Sequence, residues 1–489
     1  MTSLETLRAE ESLDPENWDE LRSLGHRMVD ELLAYLRTVR ERPVWRPIPP
    51  DVRARLKGPA PRAPQGAERA YADFRDYVLP HPMGNIHPRF WAWVIGTGTP
   101  LGALAEMLAA GMNPNMGGAD HVPNLVEAQV LDWCKEMLGY PTGASGLLVS
   151  GGSMANLVGL AVARSARAGF DVRKHGVRAA AGPLTIYAST EAHSSVQKAV
   201  ELLGLGAEGL RFVPVNTAFE IDVSALERMI KEDRADGCVP ICVVGNAGTV
   251  GIGAIDDLAG LSRVCAAEKL WLHVDGAFGA FAALVPEYRS RLAGMERADS
   301  LAFDLHKWMY VPFEAGCTLV RDAEAHRRAF ALRPDYLTHA ERGLAAGSLW
   351  FSDYGVQLSR GFRALKVWMS LKEHGVDKYG RLVLQNIEQA RYLAELVREA
   401  PDLELLAPVP LNIVVFRYVS PGLTEEALDA LNQELLIQLH EQGIAVPSNL
   451  TIDGRYGLRV AIVNHRSRRD DFDLLVRESR RIGAELAGR

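Results

Sequence analysis

Two residues of opposite charge stand where apolar segments of this sequence end. Asp275 closes the run 270–274, and Lys307 comes shortly after the run 300–303. A lysine amine can form a Schiff base with an aldehyde, and a carboxylate can keep a pyridine nitrogen protonated so that the ring accepts electrons. Pyridoxal 5′-phosphate needs both groups, so the pair predicts a site for that cofactor. For either residue alone, a surface lysine or an unrelated strand-end aspartate is the alternative.

A segment rich in glycine and serine could hold the phosphate of such a cofactor. It runs from Ser150 to Asn156, between an apolar run and a helical pattern. Small residues let backbone N–H groups approach a phosphate, and the start of a helix favours negative charge. Alone, an ordinary glycine turn with a serine cap explains the segment equally well. Beside Asp275 and Lys307 it predicts a phosphate-binding cup.

Two further polar segments follow apolar runs. His193 lies just after the run 184–188, where an imidazole can stack on a cofactor ring. A histidine at the start of a helix is more often a cap or a surface residue. Thr249, in a glycine-rich segment after the run 239–244, offers a hydroxyl group near the same face of the predicted sheet.

The elements that must position these residues alternate along the chain. Helical segments such as 155–167 and 194–203 separate several of the apolar runs, which indicates a largely parallel sheet with buried strands. Ligands bind beyond the carboxyl ends of the strands in such sheets, where the polar residues stand. The seven runs are 147–150, 184–188, 210–213, 239–244, 270–274, 300–303 and 317–320.

Three domains are predicted. Residues 1–83 form an N-terminal helical arm and a linker rich in proline and glycine, residues 84–375 a large cofactor-binding domain, and residues 376–489 a small α+β domain. The arm has apolar residues at helical spacing from Leu21 to Val39. Such a stripe must pack on the main body or on a second subunit, and we favour the second subunit.

Composition excludes several classes of partner. The chain has 489 residues, of which 48% are hydrophobic, and a formal net charge of −7, so we expect no nucleic-acid partner. We also expect no signal peptide, no membrane partner and no metal site. The five cysteines are an odd number without the spacing of a zinc site, which favours reduced thiols and a cytoplasmic location.

Three of these motifs are similar to those of the group II pyridoxal-phosphate-dependent amino-acid decarboxylases, which include the aromatic-L-amino-acid, histidine and glutamate decarboxylases. The motifs are 191–195, 273–277 and 306–308. The resemblance implies the α/β fold of aspartate aminotransferase, called fold type I. This fold has a mostly parallel seven-stranded sheet with helices on both faces, a helical arm and a small C-terminal α+β domain. It also implies a homodimer with the active site at the interface.

The resemblance also implies roles for individual residues. Lys307 would carry the cofactor on its amine, Asp275 would pair with the pyridine nitrogen, and His193 would stack over the ring, with Ala277 on the other face. Asp304 stands where many relatives have asparagine, which would put an acid close to the phosphate. The implied cofactor-binding positions are Gly152, Ser153, His193, Thr249, Asp275, Ala277, Asp304, His306 and Lys307.

Tyr336 bears on the reaction outcome. It lies in the segment 334–339, which resembles a family loop whose tyrosine protonates the substrate carbon after carbon dioxide leaves. Relatives with phenylalanine there resemble aldehyde synthases, because a phenyl ring cannot deliver a proton. Tyr336 therefore predicts conversion of an L-amino acid to a primary amine and carbon dioxide. The alternatives are an aldehyde synthase, an aminotransferase or another lyase of the same fold, or a non-catalytic protein that binds the cofactor.

The substrate pocket is less well defined by the sequence. Trp93 is the expected wall, although core packing is the alternative for both Trp91 and Trp93. Asn113 and Asn115 place amides where aromatic decarboxylases have apolar side chains. Buried amides would favour a substrate with a polar group. The sequence therefore predicts an amino acid with an aromatic or polar side chain.

Overall fold

The computed structural model describes residues 12–332, 341–347 and 349–488. Two sheets and the helices around them form within these ranges. The strands are β1 (Phe90–Trp91), β2 (Ser145–Val149), β3 (Leu184–Ser189), β4 (Leu210–Val213), β5 (Val239–Asn246), β6 (Trp271–Asp275), β7 (Ser300–Asp304), β8 (Gly316–Val320), β9 (Leu403–Leu405), β10 (Ile413–Tyr418), β11 (Val446–Ile452) and β12 (Arg455–Ala461).

The helices lie on and between the sheets, and none in the described ranges is both long and apolar enough to cross a membrane. They are α1 (Trp18–Arg37), α2 (Pro50–Arg55), α3 (Ala67–Asp73), α4 (Pro100–Met112), α5 (Val122–Leu138), α6 (Gly152–Arg167), α7 (Val172–His175), α8 (Ser194–Leu202), α9 (Val223–Ala235), α10 (Leu258–Glu268), α11 (Leu305–Trp308), α12 (Ala323–Phe330), α13 (Arg363–His374), α14 (Val376–Glu399), α15 (Glu425–Glu441) and α16 (Arg469–Ala487).

The large sheet has seven strands in the order β2-β8-β7-β6-β5-β3-β4. The neighbours from β7 to β4 pair in parallel, and only β8 runs against its two neighbours. The predicted mostly parallel sheet is confirmed, and each of the seven apolar runs coincides with one of its strands. The inner strands are buried on both faces because helices cover the sheet on both sides, whereas the edge strand β4 is partly exposed.

Local sequence signals fix the starts of several helices. The side chains of Asp222, Asp257 and Thr424 accept hydrogen bonds from backbone N–H groups in the first turns of α9, α10 and α15. These N–H groups have no partner within the helix, so a capping oxygen stabilises the start. Thr424 in particular places the start of α15 at Glu425.

The small domain contains a five-stranded sheet in the order β1-β11-β12-β10-β9. Its first strand comes from far away in the chain, since Phe90 and Trp91 pair in parallel with Val446 and Pro447 of β11. The division of the sequence at residue 84 had assigned β1 to the large domain. The structure attaches it to the small sheet instead, because long-range strand pairing is invisible to local sequence patterns.

Candidate active site

A cavity of about 540 Å³ opens at the carboxyl ends of strands in the large sheet. Asp275 is the last residue of β6, and β7 ends at Asp304, next to the short helix α11 that carries His306 and Lys307. Parallel pairing of β6 with β7 brings these strand ends together. Of the predicted site residues, nine line this cavity: Trp93, Gly152, Ser153, His193, Asp275, Ala277, Asp304, His306 and Lys307.

The glycine- and serine-rich segment forms a narrow cup at the start of α6. A Cβ atom built on Gly152 would lie 2.8 Å from Oδ2 of Asp304 and 3.5 Å from Cβ of Ala277, so a side chain would fill this space. Gly152 and Ser153 also contribute first-turn N–H groups of α6, which lack partners within the helix. A helix start whose N–H groups are uncovered by a side chain at Gly152 suits a phosphate.

His306 is held rigidly beside the cup. Its Nδ1 lies 3.1 Å from the backbone oxygen and 3.2 Å from the backbone nitrogen of Ala315, and the ring is almost fully buried. Burial lowers the pKa of His306, although the carboxylate of Asp304 opposes this shift. The imidazole of His306 is therefore a fixed polar group at the edge of the cup.

The amine of Lys307 is paired with a carboxylate. Its Nζ lies 2.8 Å from Oδ2 of Asp304, three residues earlier in the chain. Asp304 is buried, and its Oδ1 has no hydrogen-bond partner among the described residues. A buried oxygen without a partner is energetically costly, so this atom is open to a donor that enters with a ligand.

Asp275 is a buried carboxylate with two donors. Its Oδ2 accepts a hydrogen bond from Nδ2 of Asn156 at 2.8 Å, and its Oδ1 accepts one from the backbone N–H of Ala277 at 3.1 Å. The two hydrogen bonds fix the orientation of the carboxylate. A negative charge fixed at a strand end is what a protonated pyridine nitrogen requires.

His193 stands at the start of α8, and its Nδ1 accepts a hydrogen bond from the backbone N–H of Ser195 at 3.1 Å. A backbone N–H can only donate, so Nδ1 is unprotonated and the neutral ring carries its proton on Nε2. Burial lowers the pKa of His193, and the charge of Lys307 lowers it further, whereas the carboxylate of Asp275 raises it. An uncharged imidazole is well suited to stacking on an aromatic ring.

Aromatic side chains form the outer wall of the cavity. Trp93 and Phe313 both line it and remain 52% and 50% exposed. Trp91, in contrast, is fully buried and stacks on Phe472 at 4.9 Å between ring centroids. Of the two tryptophans, Trp93 is therefore the cavity residue and Trp91 belongs to the core of the small domain.

Sequence reasoning missed some residues of the cavity. Phe313 and Glu314 line it from the segment that returns from α11 to β8, and no local pattern distinguishes them. Arg459 was not missed, since it matches an arginine found in both aromatic and glutamate-type relatives; it lines the cavity from β12 of the small domain and donates to the backbone oxygen of Gly251 at 2.8 Å. Burial lowers the pKa of Arg459 to about 10.

Three of the predicted site residues that the structure describes do not line this cavity. Thr249 is buried beside it, and its hydroxyl accepts the N–H of Ala254 within a turn. Asn113 and Asn115 are exposed and do not line the cavity of the single chain, so their place in the substrate pocket stays a prediction. Oδ1 of Asn115 instead accepts backbone N–H groups that fix the local chain. Tyr336 lies outside the described residues.

The fold and the site together define a class of enzyme. A fold-type-I sheet presents a lysine, a strand-end carboxylate, an uncharged imidazole and a small-residue cup to one cavity. The space at Gly152 matches a phosphate group, the fixed carboxylate of Asp275 matches a pyridinium nitrogen, and the amine of Lys307 matches an aldehyde. These residues fit pyridoxal 5′-phosphate.

Comparisons with known proteins identify the family. Residues 49–419 match the family model described as the pyridoxal-dependent decarboxylase conserved domain. The chain is 33% identical to an aromatic-L-amino-acid decarboxylase from Bacillus atrophaeus, with 96% of each chain covered. It is 32% identical to human histidine decarboxylase, over 93% of this chain and 69% of that one.

A solved structure shows the same architecture. The crystal structure of Oryza sativa TDC with PLP and tryptamine superposes with a TM-score of 0.90 at 27% identity, covering 97% of this chain and all of that one. The chain belongs to the pyridoxal-dependent decarboxylase family, and it is a pyridoxal 5′-phosphate-dependent amino-acid decarboxylase.

Proposed function

We propose that this enzyme converts an L-amino acid with an aromatic side chain into the primary amine and carbon dioxide. The observation that carries the proposal is the pair of half-exposed aromatic side chains, Trp93 and Phe313, on the cavity that Lys307 also lines. Flat apolar walls favour a flat apolar side chain. The similarity to aromatic-L-amino-acid and histidine decarboxylases supports a ring in the substrate.

Each residue contributes a separate part of the chemistry. Pyridoxal 5′-phosphate, when bound, supplies an aldehyde that takes up the substrate amine and a ring that accepts the electron pair left by carbon dioxide. Lys307 would hold the cofactor through its amine. Asp275 would maintain the proton on the pyridine nitrogen through its fixed negative charge, and His193 would stack on the ring. Gly152, Ser153 and His306 would hold the phosphate.

Tyr336 is proposed as the proton donor to the substrate carbon. The proposal rests on the likeness of segment 334–339 to the family loop, because this residue is outside the described ranges. Delivery of that proton completes the amine, whereas its absence leaves the carbon open to oxidation. Tyr336 therefore distinguishes the decarboxylase from an aldehyde synthase.

We further propose that the enzyme acts as a homodimer. Apolar side chains are exposed on three helices, at Trp18 and Met28 of α1, Met107 of α4, and Val122 and Leu125 of α5. Exposed apolar surface of this kind marks an interface, and homodimers most often use the same patch on both subunits. The arm containing α1 is then expected to pack on the partner.

A cytoplasmic location is proposed from the cysteines. All five are free, and four of them are buried as thiols. Burial raises the pKa of Cys134 to about 12, so this thiol is not reactive at neutral pH. Unpaired thiols are typical of proteins in reducing compartments.

One experiment tests the proposed reaction. The purified, cofactor-loaded protein is incubated with a pool of L-amino acids, and the products are identified by mass spectrometry. We expect one aromatic amino acid to disappear as its amine forms. An aldehyde would identify an aldehyde synthase, and a keto acid an aminotransferase. Release of an amine from a non-aromatic amino acid alone would contradict the proposed substrate class.

A further inference from the structure

A chain of hydrogen bonds runs behind the cavity and ends at Asp275. Nε1 of Trp271 lies 2.8 Å from Oγ of Ser300, and this oxygen lies 2.8 Å from Nδ1 of His273. Nε2 of His273 lies 2.9 Å from Oδ1 of Asn156, whose Nδ2 donates to Asp275 at 2.8 Å. All five side chains are buried. Trp271, Ser300 and His273 do not line the cavity, so they can act only through Asn156 and Asp275, which do.

The donors along this chain all point toward the carboxylate. The amide N–H of Asn156 must face Asp275, because the reverse orientation would set its oxygen against a negative charge. Its Oδ1 therefore accepts from Nε2 of His273. Burial lowers the pKa of His273 to about 4, so at neutral pH the ring has one proton, on Nε2, and Nδ1 accepts from Ser300. The indole of Trp271 can only donate, and it completes the chain.

A branch of the same network reaches His193. The amide nitrogen of Asn156 also lies 3.0 Å from Oγ of Ser195, which lies 2.8 Å from Nδ1 of His193. One amide group therefore uses both of its N–H bonds within the site. It orients the carboxylate of Asp275 with one and the serine beside the imidazole with the other.

Close packing of α6 on β6 makes this arrangement possible. A Cβ atom built on Gly159 would lie 2.5 Å from Cε1 of His273, so any side chain at that position would displace the imidazole. Asn156 and Gly159 are three residues apart on one face of α6. His273 and Asp275 are two residues apart on one face of β6. Residues on both elements are thus spaced to meet.

We propose that His273 and Asn156 are positioning residues for decarboxylation, which fix the carboxylate of Asp275 and, through Ser195, the imidazole of His193. This inference rests on the proposed roles of Asp275 and His193. Asp275 and His193 act on the electron-accepting step and not on substrate contact. Loss of the network is therefore expected to lower kcat and to leave KM nearly unchanged.

The test uses the cofactor-loaded enzyme with His273→Leu and His273→Gln. We expect His273→Leu to lower kcat about tenfold or more, with KM within about twofold, and to change the visible absorption spectrum of the bound cofactor. Glutamine keeps an N–H donor for Asn156, so His273→Gln should recover most of the lost activity and the original spectrum. An equal loss of kcat in the two variants would overturn the proposal. The size of the side chain at position 273, and not its hydrogen bond to Asn156, would then determine kcat.

His326→Leu is the matched control. His326 is also fully buried and bonded to a serine, with Nδ1 2.8 Å from Oγ of Ser145, but it does not line the cavity. The kcat and cofactor spectrum of the His326→Leu enzyme should equal those of the wild type, even if this variant is less stable. If His273→Leu does not fold, Ser300→Ala removes a single hydroxyl from the network and should lower kcat several-fold.

Wild-type kcat and spectrum in a folded His273→Leu or Ser300→Ala enzyme would overturn the inference. Failure of the proposed function has a different signature. In that case the wild-type enzyme would itself release no amine from any aromatic amino acid.

Discussion

The ammonium group of Lys307 and the carboxylate of Asp304 form a close ion pair, with 2.8 Å between Nζ and Oδ2, at the edge of the cup that suits a phosphate. The carboxylate of Asp304 therefore places a negative charge next to the position that the negatively charged phosphate would occupy. We therefore expect Asp304→Asn to bind pyridoxal 5′-phosphate about tenfold more tightly, since the amide can donate to the phosphate and removes a repulsion. Equilibrium dialysis of apoenzyme against the cofactor measures this change. Unchanged or weaker binding would show that Asp304 does not face the phosphate.

Asp275→Ala should separate cofactor binding from catalysis. The substitution removes the fixed charge that maintains the protonated pyridine nitrogen, while Lys307 and the cup remain. We expect kcat to fall at least about a hundredfold, which corresponds to about 2.7 kcal/mol in the barrier. The cofactor should still bind, as judged by its visible absorption. Normal turnover by this variant would contradict the assignment of Asp275.

Gly152→Ala should close the cup. The added methyl group would lie 2.8 Å from Oδ2 of Asp304, too close for an ordinary contact. We expect the Kd for pyridoxal 5′-phosphate to rise about tenfold or more, because the phosphate loses the space it would occupy. Gly143→Ala is the control, since nothing lies within 4 Å of its Cβ position. A normal Kd for Gly152→Ala would place the phosphate elsewhere.

Tyr336→Phe should change the product and not only the rate. Without the phenol, the substrate carbon lacks its proton donor, and oxygen can intercept it. We expect the amine yield to fall and an aldehyde to appear, both measured by mass spectrometry, together with ammonia and peroxide in coupled assays. A variant that still forms the amine at the wild-type rate would assign the proton to another residue.

Acid should destabilise the protein through its buried histidines. Burial lowers the pKa of His87, His273 and His465 to about 4 and that of His326 to about 3. Between the unfolded value near 6.5 and these folded values, the unfolded chain binds more protons, so stability is full above about pH 6.5 and falls as the pH decreases. At pH 5.5 each of these histidines should lower the free energy of unfolding by about 1.4 kcal/mol relative to its value above pH 6.5.

Thermal unfolding at pH 7.5 and pH 5.5 measures this loss. His326→Gln should unfold with a smaller difference between the two pH values than the wild type, because one titrating group has been removed. An equal difference in the two proteins would show that His326 does not contribute to the acid sensitivity.

Much of the large domain was predictable because its signals are local. A buried parallel strand is a short apolar run, and the polar residue that ends it is visible in the sequence, as at Asp275. The small sheet was predicted less completely. Neither β9 (Leu403–Leu405) nor β11 (Val446–Ile452) was expected, since β11 mixes polar and apolar residues and β9 has only three residues.

The substrate wall shows where periodicity fails. Trp91 and Trp93 are two residues apart, so strand geometry would place both on one face. The strand β1 ends at Trp91, however, and the chain turns before Trp93. One ring is buried against Phe472 and the other lines the cavity. Pairing with β11 sets the end of this strand, and that pairing is not encoded near residue 91.

Local sequence patterns were sufficient to predict the cofactor, the succession of strands along the chain and the residues at their ends, because each pattern is contained in a short segment. The side chains that support these residues are apparent only in the folded chain. Asn156 and His273 are 117 residues apart, and they meet because α6 packs closely on β6 at Gly159. Hydrogen bonds of this kind depend on sheet order and helix packing, which are properties of the whole folded chain.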